Sequence, residues 1–320
     1  MSEKNVPMKL FYLLLGIFTF VELNCENLFD TQHDSLKQDM EYLPDSYHHW
    51  NANRYWKKLN HIGQEIIACG GEGNNWVLPD LVALCEVEND SVMRDLTKRS
   101  LLRQARYEYV MTDSPDIRGI DVALLYSPFT FRLLYWHAIR VTPLKGMRPT
   151  RDILYAAGQI ISGDTLHVFV VHAPSRSGGE IATCPNRMAV VKRLQEAVDS
   201  VKSNSVSAHI IIAGDFNDYT QDVSIQYLIS CGLADVSASA KGTHGAKGTY
   251  KYRGEWGSLD HVLCSEALVP LFRSCTIADF PFLLTDDEVY GGLQPLRNFH
   301  GAKYLNGFSD HLPLVVKFDF

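Results

Sequence analysis

Four apolar, β-type runs in this chain end abruptly in residues that bind metals or move protons. They are Val21-Glu22-Leu23-Asn24-Cys25-Glu26-Asn27, Leu84-Cys85-Glu86-Val87-Glu88-Asn89, Ile210-Ile211-Ile212-Ala213-Gly214-Asp215-Phe216-Asn217-Asp218 and Gly307-Phe308-Ser309-Asp310-His311-Leu312-Pro313. Two lesser ones are Val170-Val171-His172-Ala173-Pro174-Ser175-Arg176 and Ser258-Leu259-Asp260-His261. Strand ends and the loops after them are where sites are commonly built. Carboxylate and amide oxygens suit hard cations such as Mg²⁺. Asp310-His311 sets a potential ligand next to a titrating imidazole. Arginines supply forked donors for phosphate oxygens. Each feature alone has a plainer reading: the Asp a turn or helix cap, the His a satisfied polar group, the Arg a solvated charge. The ensemble raises the functional reading, but spacing alone identifies no reaction.

Placing these residues takes many short strands and a few helices. Phe18–Leu23, Asp80–Cys85, Asp121–Tyr126, Phe131–Ile139, Ile153–Ile160, Leu166–His172, His209–Ala213, His261–Cys264 and Leu312–Phe318 read as strands. Arg54–Cys69 puts Leu59, Ile62, Ile66 and Ile67 on one helical face, and Asn186–Lys202 aligns Val190, Leu194, Val198 and Val201. Asp90–Leu102 reads as helix, and Tyr227–Cys231 ends a short one at Gly232. Residues 279–308 show no period and read as a long loop. Strands and helices alternate without a break, which favours packed sheets with helices outside.

With 46% hydrophobic and 21% charged residues, the composition is that of a globular chain with ample core material. The formal net charge of -7 lacks the basic excess of a sequence-independent DNA binder. An acidic metal enzyme remains compatible, because its carboxylates must hold the cation. The seven cysteines are odd in number, include no Cys-x-x-Cys pair and sit largely in apolar runs, as buried free thiols do. An apolar run from Leu10 to Val21 follows Met8-Lys9. It is short of the about 20 residues of a membrane span. It reads as a strand or as a degenerate export signal, so residues 1–20 are set apart from a single domain over 21–320. The location, cytoplasmic or exported and envelope-associated, depends on which of the two it is.

The segments NCEN at 24–27, CEVEN at 85–89, RGIDVALLY at 118–126, VHAPSR at 171–176, GDFND at 214–218, SLDHVLCS at 258–265 and SDHLP at 309–313 span nearly the whole chain. In this order they resemble the endonuclease/exonuclease/phosphatase superfamily of DNase-like phosphoesterases. NCENLFD and RGIDVALLY look like a bacterial subgroup of it. The resemblance implies an α+β fold, a four-layer α/β/β/α sandwich with the site at one end of two mixed sheets. It implies Mg²⁺ or Mn²⁺ as cofactor, with Glu86 as principal ligand and Asn24 and Asp310 in support. Asp215 would orient or deprotonate the attacking water, and Asn217 would hold a phosphate oxygen. His172 would be a phosphate contact and His311 the second catalytic histidine, with Asp260 setting its tautomer. Arg151 resembles a phosphate-contacting arginine, and Asn24 would support phosphate as well as metal.

Hydrolysis of a phosphodiester by activated water, of nuclease type, is the reaction expected. A phosphomonoesterase or a phospholipid or sphingomyelin phosphodiesterase of the same superfamily is the alternative. The partner expected is the phosphate-ester substrate, nucleic acid among the candidates, with no strong electrostatic footprint for it and no obligate protein partner. A serine hydrolase would need an elbow that Ser175 does not have. A non-catalytic module would lack Glu86, Asp215 or His311, and all three are present.

Overall fold

Alternating apolar side chains build two mixed sheets that face each other. A computed structural model describes residues 16–72 and 75–320. Its principal strands are β1 (Ile17–Leu28), β2 (Leu81–Val87), β3 (Glu108–Met111), β4 (Asp121–Tyr126), β5 (Phe131–Ile139), β6 (Ile153–Ile160) and β7 (Thr165–His172). They continue with β8 (His209–Asp215), β9 (Leu233–Asp235), β10 (Tyr250–Tyr252), β11 (Glu255–Gly257), β12 (Asp260–Ser265), β13 (Phe272–Ile277) and β14 (Leu314–Asp319). One six-stranded sheet runs β13-β14-β1-β2-β4-β3 and the other β9-β12-β8-β7-β6-β5. β10 and β11 form a separate hairpin.

Side chains of a strand alternate between its two faces. Phe18, Phe20, Ala83, Val122, Val168, Val170, Ile211, Ala213, Val262 and Leu314 make the core between the sheets. The intervening Val21, Leu23, Val82 and Leu84 face the opposite way, onto α1 (Ala52–Ala68) and α2 (Asp90–Lys98). Phe169, Val171, Ile210 and Ile212 likewise meet α3 (Glu180–Asn204) and α4 (Val223–Ser230). The result is the α/β/β/α layering expected. The Asn51 side chain accepts from Asn53 and Arg54 N–H at the start of α1, and the Asn89 side chain caps α2 through Val92 N–H.

Three expectations change in detail. α3 begins at Glu180, six residues before the expected Asn186, and carries Pro185 inside. Proline has no N–H to donate and so reads as a boundary, yet Pro185 sits in the second turn, at an exposed position, and the helix continues through it. Residues 279–308 are not a featureless loop: Leu284–Asp286 pairs with Leu293–Pro295, and Phe299–His300 with Lys303–Tyr304. Strands of two or three residues are too short to show a period. Of the Leu10–Val21 run, Ile17 to Val21 lie in β1, paired antiparallel with β14. Residues 10–15, and with them most of the export-signal reading, fall outside the described residues.

Candidate active site

The inter-sheet rows continue past the core and turn polar at one end. In β7 the row Leu166, Val168, Val170 ends at His172, and in β8 the row Ile211, Ala213 ends at Asp215. In β12 it runs from Cys264 through Val262 to Asp260, and in β1 from Phe18 and Phe20 through Glu22 to Asn24. Register lines up three of them: Asp215 pairs with His172 on one side and with Asp260 on the other. Gly214 makes that spacing possible. A Cβ there, at φ +144°, would lie 1.8 Å from the Val171 carbonyl oxygen.

Glu86 reaches the same end by a different device. By alternation it would share the helix-facing side of Val82 and Leu84. The pairing of β2 with β4 shifts between Cys85 and Val87, and Glu86 takes φ +62°. A bulge of this kind re-aims a side chain. Glu26, Asn27 and Asn217 also hold positive φ, at +49°, +57° and +53°. Each left-handed non-glycine residue costs roughly 1–3 kcal/mol, and such residues cluster where function demands it.

Glu86, His172, Asp215, Asn217, Asp310 and His311 line one cavity of about 610 Å³. Asn24 reaches it through its side-chain amide, which donates to Asp215 Oδ2 at 3.1 Å. Asp215 Oδ1 accepts from Asn217 N–H at 2.8 Å. His172 Nε2 stands 3.7 Å from both Glu86 Oε1 and Asp215 Oδ2. His311 Nδ1 is 2.7 Å from Asp260 Oδ2, an oxygen that also accepts from the Thr249 hydroxyl. That contact leaves Nε2 of His311 free of its support. Ser309 accepts the His311 N–H and donates its hydroxyl to the Asn24 carbonyl at 2.6 Å, tying this loop to the end of β1.

Burial and neighbouring charge set the protonation of these groups. Burial, with Asp260 second, raises Asp215 to about 7. Burial, with Arg151 and Arg118 adding to it, holds His172 well below its usual value, so it is neutral. Burial also opposes a charge on His311, but the carboxylates around it, Asp260 foremost with Asp215 and Asp310, together hold it well above its usual value.

Arg151 stands apart from its expected role. Its Nε and Nη2 donate to the carbonyls of His172 and Ala173, and its Nη1 pairs with Asp116 at 3.0 Å. With these three partners, two carbonyls and a buried carboxylate, it braces the turn after β7 and is not among the residues lining this cavity. Arg118, from the RGIDVALLY segment, lines the cavity instead, with Nη2 on Asn27 Oδ1 at 2.7 Å and 3.8 Å from Glu86. Tyr219, Tyr250 and Tyr252 form an aromatic side, and Arg176 stacks 4.6 Å over Tyr219. Tyr219 seats against Gly257, where a Cβ would meet its ring at 2.4 Å. Phe299 and Tyr304 pack elsewhere, on His48, Trp50 and Arg54.

Glu26, in the NCEN segment, carried no assigned role, and it lies where β1 leaves regular register, at φ +49°. Its Oε2 accepts from Asn298 N–H at 2.6 Å, and Lys58 and Arg297 approach it. Burial first and Asp310 second raise it to about 7. Thr249 and Arg297 carried no signal in the sequence, since each lies in an aperiodic stretch.

The donor atoms fit a hard divalent cation. Glu86 Oε2 accepts from Asn27 N–H at 2.8 Å, while Oε1 faces the cavity beyond hydrogen-bond reach of His172 and Arg118. Asp215, Asp260 and His311 each offer a ligand atom within 4.8 Å of the others. Asp310 Oδ2 accepts from Arg297 Nη2. Ser175 also lines the cavity, and its hydroxyl accepts from Ser177 N–H at 3.3 Å rather than meeting a base.

Residues 19–319 match the model of a family described as Endonuclease/Exonuclease/phosphatase. None of the curated proteins matches the chain. Among solved structures, a mannosyl-6-phosphatase of Bacteroides thetaiotaomicron is similar at 16% identity and TM-score 0.64, over 95% of this chain and 100% of that one. An endonuclease/exonuclease/phosphatase family protein of the same organism aligns at 14% identity and TM-score 0.62, over 94% and 97%. The human Nocturnin catalytic domain aligns at 19% identity and TM-score 0.60, over 95% and 94%. At these identities the likeness is one of fold.

Proposed function

The chain belongs to the endonuclease/exonuclease/phosphatase family, and from that premise we propose that it hydrolyses a phosphodiester, of nuclease type, by in-line attack of water. The observation that carries this reading is the convergence of Asp215, neutral His172 and Asp260-supported His311 in one cavity beside Glu86.

Glu86 and Asn24 would hold Mg²⁺ or Mn²⁺. Such an ion supplies neutralisation of phosphate charge and polarisation of the phosphoryl group. Asp215, raised to about 7, is poised to take a proton from the attacking water near neutral pH. His311, charged and oriented through Nδ1, presents Nε2–H to charge developing on a phosphoryl or leaving oxygen. Neutral His172, whose Nε2 faces Glu86 and Asp215, would add a second donor, and Asn217 a third. Arg118 and Arg176 take the phosphate-contact role first expected of Arg151.

The aromatic side of the cavity favours a diester whose ester group is a ring, stacked on Tyr250 or Tyr252. The net charge of -7 argues against tight duplex binding, which favours short or single-stranded substrates. Hydrolysis of bis(p-nitrophenyl) phosphate with Mn²⁺ or Mg²⁺, with and without EDTA, tests the reaction. Turnover that survives both EDTA and Asp215→Ala defeats it. A panel of single- and double-stranded DNA, RNA, phosphoinositides, sugar phosphates and sphingomyelin tests the substrate class.

A further inference from the structure

We infer that Arg297 is a resident cation of this centre: it occupies the Glu26–Asp310 carboxylate pair, so that a single divalent ion binds, at Glu86, and Asp310 is not among its ligands. This rests on the proposed metal dependence and extends it.

Three carboxylates gather at this end of the first sheet: Glu26 at the end of β1, Glu86 in the β2 bulge and Asp310 just before β14. Asp310 is hydrogen-bonded to a cation, and Glu26 has two cations near it, at 3.6 and 3.9 Å. Arg297 Nη2 donates to Asp310 Oδ2, and its Nε lies 3.6 Å from Glu26 Oε1. Lys58, fully buried, stands 3.9 Å from Glu26 Oε2 and donates to the Phe308 carbonyl. The backbone fixes the arginine's position. Asn298 N–H, next in sequence, donates to Glu26 Oε2, and Leu296 is tied at both ends, through Leu283 O and Phe308 N–H. Gly307 packs so closely beneath that a Cβ would lie 2.1 Å from the Leu296 and Arg297 carbonyl oxygens.

A guanidinium spanning two carboxylates supplies the charge a second divalent ion would bring. At Asp310 Oδ2, which accepts from Arg297 Nη2, ion and guanidinium compete for the same lone pairs. Glu86 is different. Its Oε1 lies 3.8 Å from Arg118, whose Nη2 is engaged on Asn27 Oδ1, and 3.7 Å from neutral His172. Asp310 therefore acts on the site through Arg297, as a positioning residue.

Mn²⁺ titration of the metal-stripped full chain, followed by the electron paramagnetic resonance signal of free Mn²⁺, counts the sites. One ion per wild-type chain is expected, one for Arg297→Lys and two for Arg297→Met. Asp310→Asn should change the wild-type Mn²⁺ affinity by less than about threefold, whereas Glu86→Gln should abolish binding. Two ions in the wild type overturn the inference, as does a loss of more than about thirtyfold on Asp310→Asn, an arm that holds even if Arg297→Met fails to fold. A folded Arg297→Met that still binds one ion overturns it too. A wild type that binds no Mn²⁺ defeats the metal reading itself, and this inference with it.

Discussion

The side-chain amide of Asn24 donates to the carboxylate of Asp215 across 3.1 Å, joining residues 191 apart in the chain. Asn24 ends an inner row of one sheet and Asp215 an inner row of the other. This hydrogen bond therefore closes the two sheets at the end where the chemistry is proposed. Asn24→Ala should both loosen that end and free Asp215 Oδ2. A kcat loss of about 10²-fold or more is expected with a modest fall in melting temperature. An unchanged kcat would remove Asn24 from the machinery.

Asp215 is the proton acceptor in the proposed reaction, and a carboxyl raised to about 7 gives the rate an acid limb near that pH. Activity should rise as pH climbs through the limb, because the deprotonated form is the active one. Asp215→Asn should remove the limb and cost about 10²–10⁴ in kcat. A pH–rate profile of both proteins decides this.

Burial opposes the charge on His311, and its raised pKa comes from surrounding carboxylates, of which Asp260 contributes most, ahead of Asp215 and Asp310. Asp260→Asn withdraws the largest of these contributions, so the imidazolium loses its proton at lower pH. The alkaline limb of kcat should move down by about one unit or more. A limb that stays in place would mean that His311 is not the group titrating there.

Arg151 and Arg118 should separate by readout. Arg151 is buried against Asp116 and two carbonyls, so Arg151→Ala leaves a buried carboxylate without its cation. The cost should be of order 3–5 kcal/mol, visible as an early denaturation midpoint. Arg118 is half-exposed and lines the cavity. Arg118→Ala should leave the midpoint within about 0.5 kcal/mol and raise KM instead.

Behind the site, His261 and Asp235 form a buried pair at 3.0 Å, and His261 Nε2 meets the Asp218 carbonyl. Burial opposes the charge on His261, yet Asp235 raises its pKa above the usual 6.5. Its contribution to stability is full below 6.5 and is lost as pH rises through the higher folded value. Burial likewise opposes charge on Asp235, but His261 lowers it below 3.8, so its contribution fades only in stronger acid. His261→Gln should therefore be less stable than wild type near pH 5.5, with the gap closing by about pH 9. Urea denaturation at the two pH values measures it, and a constant gap would show that the pair does not titrate in that range.

Much of this was legible before any coordinates. The strand rows, the amphipathic α1 and α3 and the order of NCEN, CEVEN, GDFND and SDHLP follow from residue type and period, which are local properties. The inward direction of Asn24, His172, Asp215 and Asp260 was also implicit, because each keeps the parity of the apolar row before it. Glu86 breaks parity, and only the bulge brings it round. Which arginine faces the cavity was not legible either. Arg118 and Arg151 have the same chemistry, and the difference lies in whether Asp116 and two carbonyls already hold the guanidinium. Asp310 reads as a metal ligand from its motif, while its hydrogen bond from Arg297, thirteen positions earlier in a stretch without period, is visible only in the fold. The sequence determined which groups could do the chemistry. Only tertiary packing decided which of them were already satisfied, because a partner far along the chain leaves no mark on local pattern.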